Sequence, residues 1–197
     1  MSSDKRELCP ECDRPPARCL CPYILATANR IPLVILQHPS EQKHPKNTAG
    51  LLCRSLQHCR IITGEVFSHE CLADILPDAA LLYPAGSIGQ VGAAPPPSRL
   101  IVVDATWRKS RKMLYLNQAL AALPRVSLVP AIPSRYQVRS ASQAHQLSTL
   151  EASCYALQQL ENEPKRYLPL LGAFDQYMTH LASFDPYRRA ATESRDV

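Results

Sequence analysis

The sequence predicts an α/β fold, a mainly parallel sheet with helices on both faces, preceded by a small cysteine knuckle. Three observations predict it. Short runs rich in Val, Ile and Leu alternate with longer stretches of helical periodicity, the pattern of strands buried on both faces and joined by helices. Four strand exits carry unusual polar, aromatic or Pro-containing segments, at 37–41, 83–87, 104–107 and 130–139. Parallel strands bring such exits to one edge of a sheet, where they can line a cleft. Finally, four of the eight cysteines fall within residues 9–21.

At 197 residues the chain is long enough for one well-buried domain and a small appendage. An apolar fraction of 46% and a charged fraction of 20% read as globular. The net charge of +5 permits an RNA partner without demanding one. No apolar run reaches the length of a membrane span and the N-terminus lacks a secretory core, so no membrane partner and a cytoplasmic location are expected. There is no Walker-type loop. Gly86, Gly89 and Gly92 have the wrong spacing for a dinucleotide fingerprint and run into Pro95-Pro96-Pro97, which excludes that reading too. No internal repeat is present.

Taken in order, the chain opens on Cys9-Pro10-Glu11-Cys12 and Cys19-Leu20-Cys21, two thiol pairs joined by a turn at Arg14-Pro15-Pro16. Folded back on each other they supply the four soft ligands of a tetrahedral zinc site, and a closed four-Cys set leaves no position for catalysis, so the zinc is expected to be structural. A segment this short has no core of its own, so metal binding would supply its folding free energy. The alternative is chance clustering of reduced thiols. The expected division is a knuckle over 1–28 and the α/β domain over 29–197. Cys53, Cys59, Cys71 and Cys154 are scattered among apolar residues and are expected as ordinary buried thiols.

Ile31 to Leu36 is the first strand, leaving at Gln37-His38-Pro39-Ser40-Glu41. His38 there is either a substrate contact or a satisfied structural histidine. A helix follows, capped by Asn47 or Thr48, with Ala49, Leu52, Cys53 and Leu56 on one face. Ile61-Ile62 marks a second strand; Leu72, Ile75 and Leu76 mark a helix closed by Pro77. Leu81-Leu82 is a third strand with Tyr83-Pro84-Ala85-Gly86 as its exit, and residues 93–98 form a stiff Pro-rich connector.

Ile101-Val102-Val103 is the central strand, and it ends at Asp104-Ala105-Thr106-Trp107, a carboxylate, a hydroxyl and the chain's sole tryptophan. Either these groups face a ligand, or Asp104 or Thr106 caps the next helix while Trp107 fills the core. That helix, roughly 108–122, begins Arg108-Lys109-Ser110-Arg111-Lys112. Four cations at the positive end of a helix dipole oppose helix stability, and they make sense if an anion such as an RNA phosphate docks there; the alternative is a solvated basic face. A strand over 125–129 then leaves through Arg135, Tyr136 and Arg139, a mixture suited to stacking on a base and holding phosphates. Ser148-Thr149-Leu150-Glu151 reads as a capping box opening a helix with Leu150, Cys154, Leu157 and Leu160 buried. The last helix buries Leu170, Phe174, Met178 and Leu181, and Tyr187-Arg188-Arg189 ends the chain as a basic tail.

Asp104-Ala105-Thr106-Trp107 resembles the signature of the DTW-domain family, to which tRNA-uridine aminocarboxypropyltransferases belong. The family commonly has Gly where this chain has Ala105. That keeps a small residue for close ligand approach, but one less permissive in backbone angle. The His-Pro…Asn-Thr, Tyr-Pro-Ala, Tyr-x-x-Arg and Ser-Thr-x-Glu-Ala elements, and the cysteine knuckle, resemble the family's bacterial members from about Cys9 to Tyr187. The resemblance implies a SPOUT-like fold, with or without its C-terminal knot; periodicity does not show a knot, and knots are rare.

The resemblance further implies transfer of the 3-amino-3-carboxypropyl group of S-adenosylmethionine to N3 of a tRNA uridine, releasing methylthioadenosine. It places Asp104, Thr106 and Trp107 at the reacting atoms. Tyr83, Pro84, Ala85, Gly86, Val103, Asp104, Ser148, Thr149 and Glu151 would surround the cofactor. Arg108, Lys109, Arg111, Lys112, Arg135, Tyr136 and Arg139 would hold the tRNA, and Cys9, Cys12, Cys19 and Cys21 the zinc. Uracil N3–H is a weak acid, so a carboxylate is wanted as base, and Asp104 is the candidate; it could equally hold the cofactor's ammonium. Two rivals remain: a SPOUT-type RNA methyltransferase and a non-enzymatic zinc RNA-binding module.

Overall fold

Strand β1 (Leu33–Gln37) is an interior strand of the sheet, buried along its whole length, because a four-residue apolar run closed by Gln37 and flanked by parallel neighbours has no face left for water. A computed structural model describes residues 7–42, 44, 47–84, 96–128 and 147–184. Within it, β1 pairs with β2 (Cys59–Thr63) on one side and β4 (Arg99–Asp104) on the other, and β3 (Ala79–Leu82) and β5 (Arg125–Val126) continue the sheet. The order is β2-β1-β4-β3-β5 and all four pairings are parallel.

Helices cover both faces, as the alternation of side chains along the strands requires. Leu33 and Ile35 of β1, with Leu100 and Val102 of β4, pack against α2 (Ala49–Ser55), α6 (Thr149–Glu161) and α7 (Leu168–Ala182). Val34, Leu36 and Ile101 point the other way, toward α3 (His69–Ile75), α4 (Trp107–Leu116) and α5 (Gln118–Ala121). A four-residue helix, α1 (Pro39–Gln42), fills the exit of β1. Cys12 and Leu20 of the knuckle are buried in the same apolar cluster as α2, α6 and α7, so the knuckle docks on the main core. Among the described residues, no helix is long and apolar enough to cross a membrane.

Three sequence expectations change. The helix expected over 108–122 is two helices, because Asn117 breaks it: its buried amide donates to Met113 O at 2.7 Å and Glu65 O at 2.9 Å, and its Oδ1 accepts from Phe67 N at 3.0 Å. A side chain so engaged competes with the helical backbone. Of the four scattered cysteines, Cys154 is buried, whereas Cys53, Cys59 and Cys71 are half-buried. The Cys53 thiol meets Cys59 across the α2–β2 contact, which favours the Cys53 thiolate and pushes Cys59 up. Among the described residues, the strand begun at Arg125 ends at Val126.

One carboxylate ties the two ends of the chain's core together. Glu161 at the close of α6 is buried; its Oε1 accepts from Arg30 N at 2.7 Å and Ile31 N at 2.9 Å, and its Oε2 from Tyr167 Oη at 2.9 Å and Arg166 Nη1 at 3.0 Å. Filling its lone pairs with donors is what allows a carboxylate to sit inside a core.

Candidate functional site

The site grows from the register of β1 against β4, which sets Gln37 directly beside Asp104 at the C-terminal ends of the two central strands. From there β1 leads outward to β2 and β4 leads the other way to β5, so the two exits diverge. Such a switch point opens the crevice in which parallel α/β sheets bind ligands.

Asp104 is held there by three side chains. Thr149 Oγ1 donates to Oδ1 at 2.6 Å, Gln37 Nε2 donates to Oδ2 at 2.9 Å, and Asn47 Nδ2 reaches Oδ2 at 3.3 Å. Thr149 is the first residue of α6, presented by a complete capping box: Ser148 Oγ accepts from Glu151 N at 3.2 Å and Glu151 Oε2 from Ser148 N at 2.9 Å. The carboxylate has room for about four hydrogen bonds, so among the described residues close to one acceptor position remains for a ligand's N–H.

Neither capping nor core filling accounts for the residues after Asp104. Thr106 occupies the N-cap of α4 without a side-chain cap bond, and Trp107 is 47% exposed. The indole meets Tyr83 edge-on at 5.7 Å; Tyr83 in turn bonds Ser110 Oγ at 3.2 Å and carries the Arg125 guanidinium over its ring at 5.1 Å. Tyr83 and Val103 are half-buried and Pro84 is exposed, whereas Ala85 and Gly86 lie outside the described residues.

The basic helix start divides into two pairs. Lys109 bonds Ser40 Oγ and lies 3.6 Å from Glu41. Lys112 is 3.0 Å from Glu65 and holds that carboxyl below its ordinary range. Arg108 and Arg111 are exposed and, among the described residues, have no side-chain hydrogen bond or ion pair. Tyr115, 74% exposed, follows Trp107 and Arg111 at helical spacing of four and so extends the same stripe of α4. Arg135, Tyr136 and Arg139 lie outside the described residues. His38 is engaged by Ser40 Oγ at 2.9 Å and Glu65 at 3.4 Å, the arrangement of a structural histidine.

The four knuckle sulfurs lie within 4.8 Å of one another, with Cys9–Cys21 and Cys12–Cys19 both 3.7 Å apart. A zinc tetrahedron with Zn–S bonds of about 2.3 Å has sulfur–sulfur edges of about 3.8 Å, so the set fits the metal. The backbone N–H groups of Glu11 and Cys12 pull the Cys9 thiol down to about 7. Loss of solvent and the neighbouring thiols push Cys21 up to about 12. Ionised together, four sulfurs this close would repel one another, and a cation between them would offset that charge.

Sequence reading missed Gln37 and Asn47 as partners of Asp104 and Tyr115 as part of the exposed stripe. Both strand exits stand out in the sequence, but the two partners lie 67 and 57 residues from Asp104 along the chain. For Tyr115 the signal was available, a helical spacing of four from Arg111.

Comparison with known proteins identifies the family of the chain. The DTW domain family matches residues 6–182. The chain is 32% identical over 173 residues to a mouse protein named tRNA-uridine aminocarboxypropyltransferase 2, covering 81% of this chain and 58% of that protein. It is 31% identical over 175 residues to a Drosophila melanogaster protein of the same name, covering 82% and 70%. An Arabidopsis thaliana protein named tRNA-uridine aminocarboxypropyltransferase A is 31% identical over 142 residues, covering 59% and 53%. The chain thus spans little more than half the length of the mouse and plant relatives. No solved structure matches it.

Proposed function

The chain belongs to the DTW-domain family, and from that premise we propose that it transfers the 3-amino-3-carboxypropyl group of S-adenosylmethionine to N3 of a uridine in tRNA. The observation that carries the reading is the carboxylate of Asp104, fixed by three side chains at the sheet's switch point beside a half-exposed tryptophan.

The donor's sulfonium supplies an activated γ-methylene. The N3–Cγ bond forms as the Cγ–S bond breaks, its electron pair stays on sulfur in methylthioadenosine, and the N3 proton must go to a base. Asp104 takes that proton through its remaining acceptor position, while Thr149, Gln37 and Asn47 keep the carboxylate from turning away. Trp107 walls the pocket and stacks on the uracil, and Thr106 orients a polar group of base or donor. Tyr83, Pro84, Ala85, Gly86 and Val103 surround the donor. Ser148 and Glu151 contribute by holding the first turn of α6, because their side chains are already bonded to each other's backbone.

The tRNA lies along the exposed stripe of α4. Arg108 and Arg111, without acidic partners among the described residues, contact phosphates more strongly than Lys109 and Lys112, whose charges Glu41 and Glu65 offset. Arg135, Tyr136 and Arg139, outside the described residues, are assigned to the tRNA as well. Cys9, Cys12, Cys19 and Cys21 hold one structural zinc within a knuckle over 1–28, attached to a catalytic domain over 29–197. A SPOUT-like course for the sheet and a cytoplasmic location, where tRNA and reduced thiols coexist, belong to the same reading. Mass spectrometry of nucleosides from tRNA incubated with protein and donor tests it: a uridine carrying the four-carbon amino-acid group supports it, and unchanged nucleosides refute it.

A further inference from the structure

We propose that Arg14 is a positioning residue through which the state of the cysteine knuckle is felt at Asp104. The backbone of Arg14 belongs to the turn that presents the thiols. Cys9 N donates to Arg14 O at 2.8 Å and Asp13 N to Cys9 O at 2.9 Å, with Asp13 in the left-handed region at φ 54°. Its side chain leaves the knuckle. Nη1 donates to the hydroxyl of Tyr177, a buried residue of α7, at 2.7 Å, and Nη2 donates to Asn47 O at 3.0 Å.

Asn47 is the middle link. Its main-chain carbonyl is held by the guanidinium, while its side-chain amide donates to Glu41 O at 2.7 Å and reaches Asp104 Oδ2 at 3.3 Å, and its Oδ1 accepts from Gly50 N at 3.3 Å at the start of α2. One residue therefore joins the knuckle, the exit of β1, the first turn of α2 and the site carboxylate. The rigid fork of a guanidinium serves two acceptors on different elements at once, which an ammonium on a flexible stem does poorly. Loss of the metal would remove the bonds that tie the four sulfurs together and release the turn that anchors Arg14. The relaxation then passes through two hydrogen bonds to Asp104. Zinc that touches no substrate thereby acquires a role in turnover.

The catalytic consequence rests on the proposed function, but the structural one does not, so the test has two arms. Hydrogen exchange is measured on the full chain zinc-loaded, after chelation, and as Arg14→Met with the cluster loaded. Chelation and Arg14→Met should each raise exchange over 47–55 while α3 stays protected, and chelating the variant should add little there. In the second arm, Arg14→Met with one zinc bound should lower kcat by about ten- to a hundredfold with little change in KM, and Arg14→Lys should recover part of it. Tyr177→Phe removes the other contact of the guanidinium and should leave exchange over 47–55 near wild type. Unchanged exchange in Arg14→Met, additive effects of variant and chelation, or an equal rise in Tyr177→Phe overturns the relay. If no group transfer of any kind occurs, the exchange arm still decides it.

Discussion

Thr149 Oγ1 donates to Asp104 Oδ1 at 2.6 Å, so the first residue of α6 is tied to the last residue of β4. The bond joins elements 45 residues apart and makes the capping box of α6 part of the site: without Ser148 and Glu151 the hydroxyl would lose its fixed approach. Thr149→Val keeps the shape and removes the donor. It should lower stability by about 1–2 kcal/mol and reduce kcat, and Thr149→Ser should restore most of both; denaturant melts and steady-state rates read the two effects separately. Equal kinetics in Val and Thr enzymes would detach this hydroxyl from catalysis.

Asp104→Asn is nearly isosteric but cannot accept a proton. Turnover should fall by about 10²–10⁴-fold with donor affinity little changed. A loss carried instead by the dissociation constant for S-adenosylmethionine, measured by calorimetry, would assign Asp104 to the donor's ammonium.

On α4 the two arginines should matter more than the two lysines. Replacing Arg108 and Arg111 with Gln should weaken tRNA binding and reduce the salt slope by about 1.5–2, whereas the same change at Lys109 and Lys112, already paired with Glu41 and Glu65, should do less. Equal effects from both pairs, or none from either, would contradict docking along this stripe.

The knuckle should carry one zinc per chain by elemental analysis, and Cys9→Ser should release it. Clearly less than one equivalent in protein purified with zinc would count against the site.

Alkaline stability gives a check on the buried tyrosines. Burial, then the bond to Glu161, raises Tyr167, and burial raises Tyr177 despite the Arg14 charge beside it. With folded values above the unfolded one of about 10, the folded state keeps protons that the unfolded chain has lost, so this stability is complete below about pH 10 and declines as pH rises beyond it. Tyr167→Phe should flatten that decline in melts taken between pH 9 and 11 (about one unit either side of the ordinary tyrosine value).

Much of the fold was legible because apolar runs and their exits are local signals. The runs at 33–36, 81–82 and 101–103 became central strands, and the exits at 37–41 and 104–107 met at the switch point. The capping box was legible for the same reason. The break at Asn117 was not, since it depends on carbonyls and amides supplied by residues 65 and 67. Nor was the convergence of Gln37, Asn47 and Thr149 on one carboxylate, or the buried clamp of Glu161 on residues 30 and 31. These are tertiary facts: composition and spacing describe each residue's neighbours along the chain, and its partners across the sheet follow from register.

The most direct measurement of the central claim supplies the enzyme with S-adenosylmethionine labelled either in the carboxyl carbon of its amino-acid group or in its methyl group, and counts label in tRNA. The account predicts that carboxyl label enters tRNA and that methyl label leaves with methylthioadenosine. Methyl label in tRNA would contradict it and make the protein a methyltransferase, and label of neither kind, across several tRNAs, would leave an RNA-binding module.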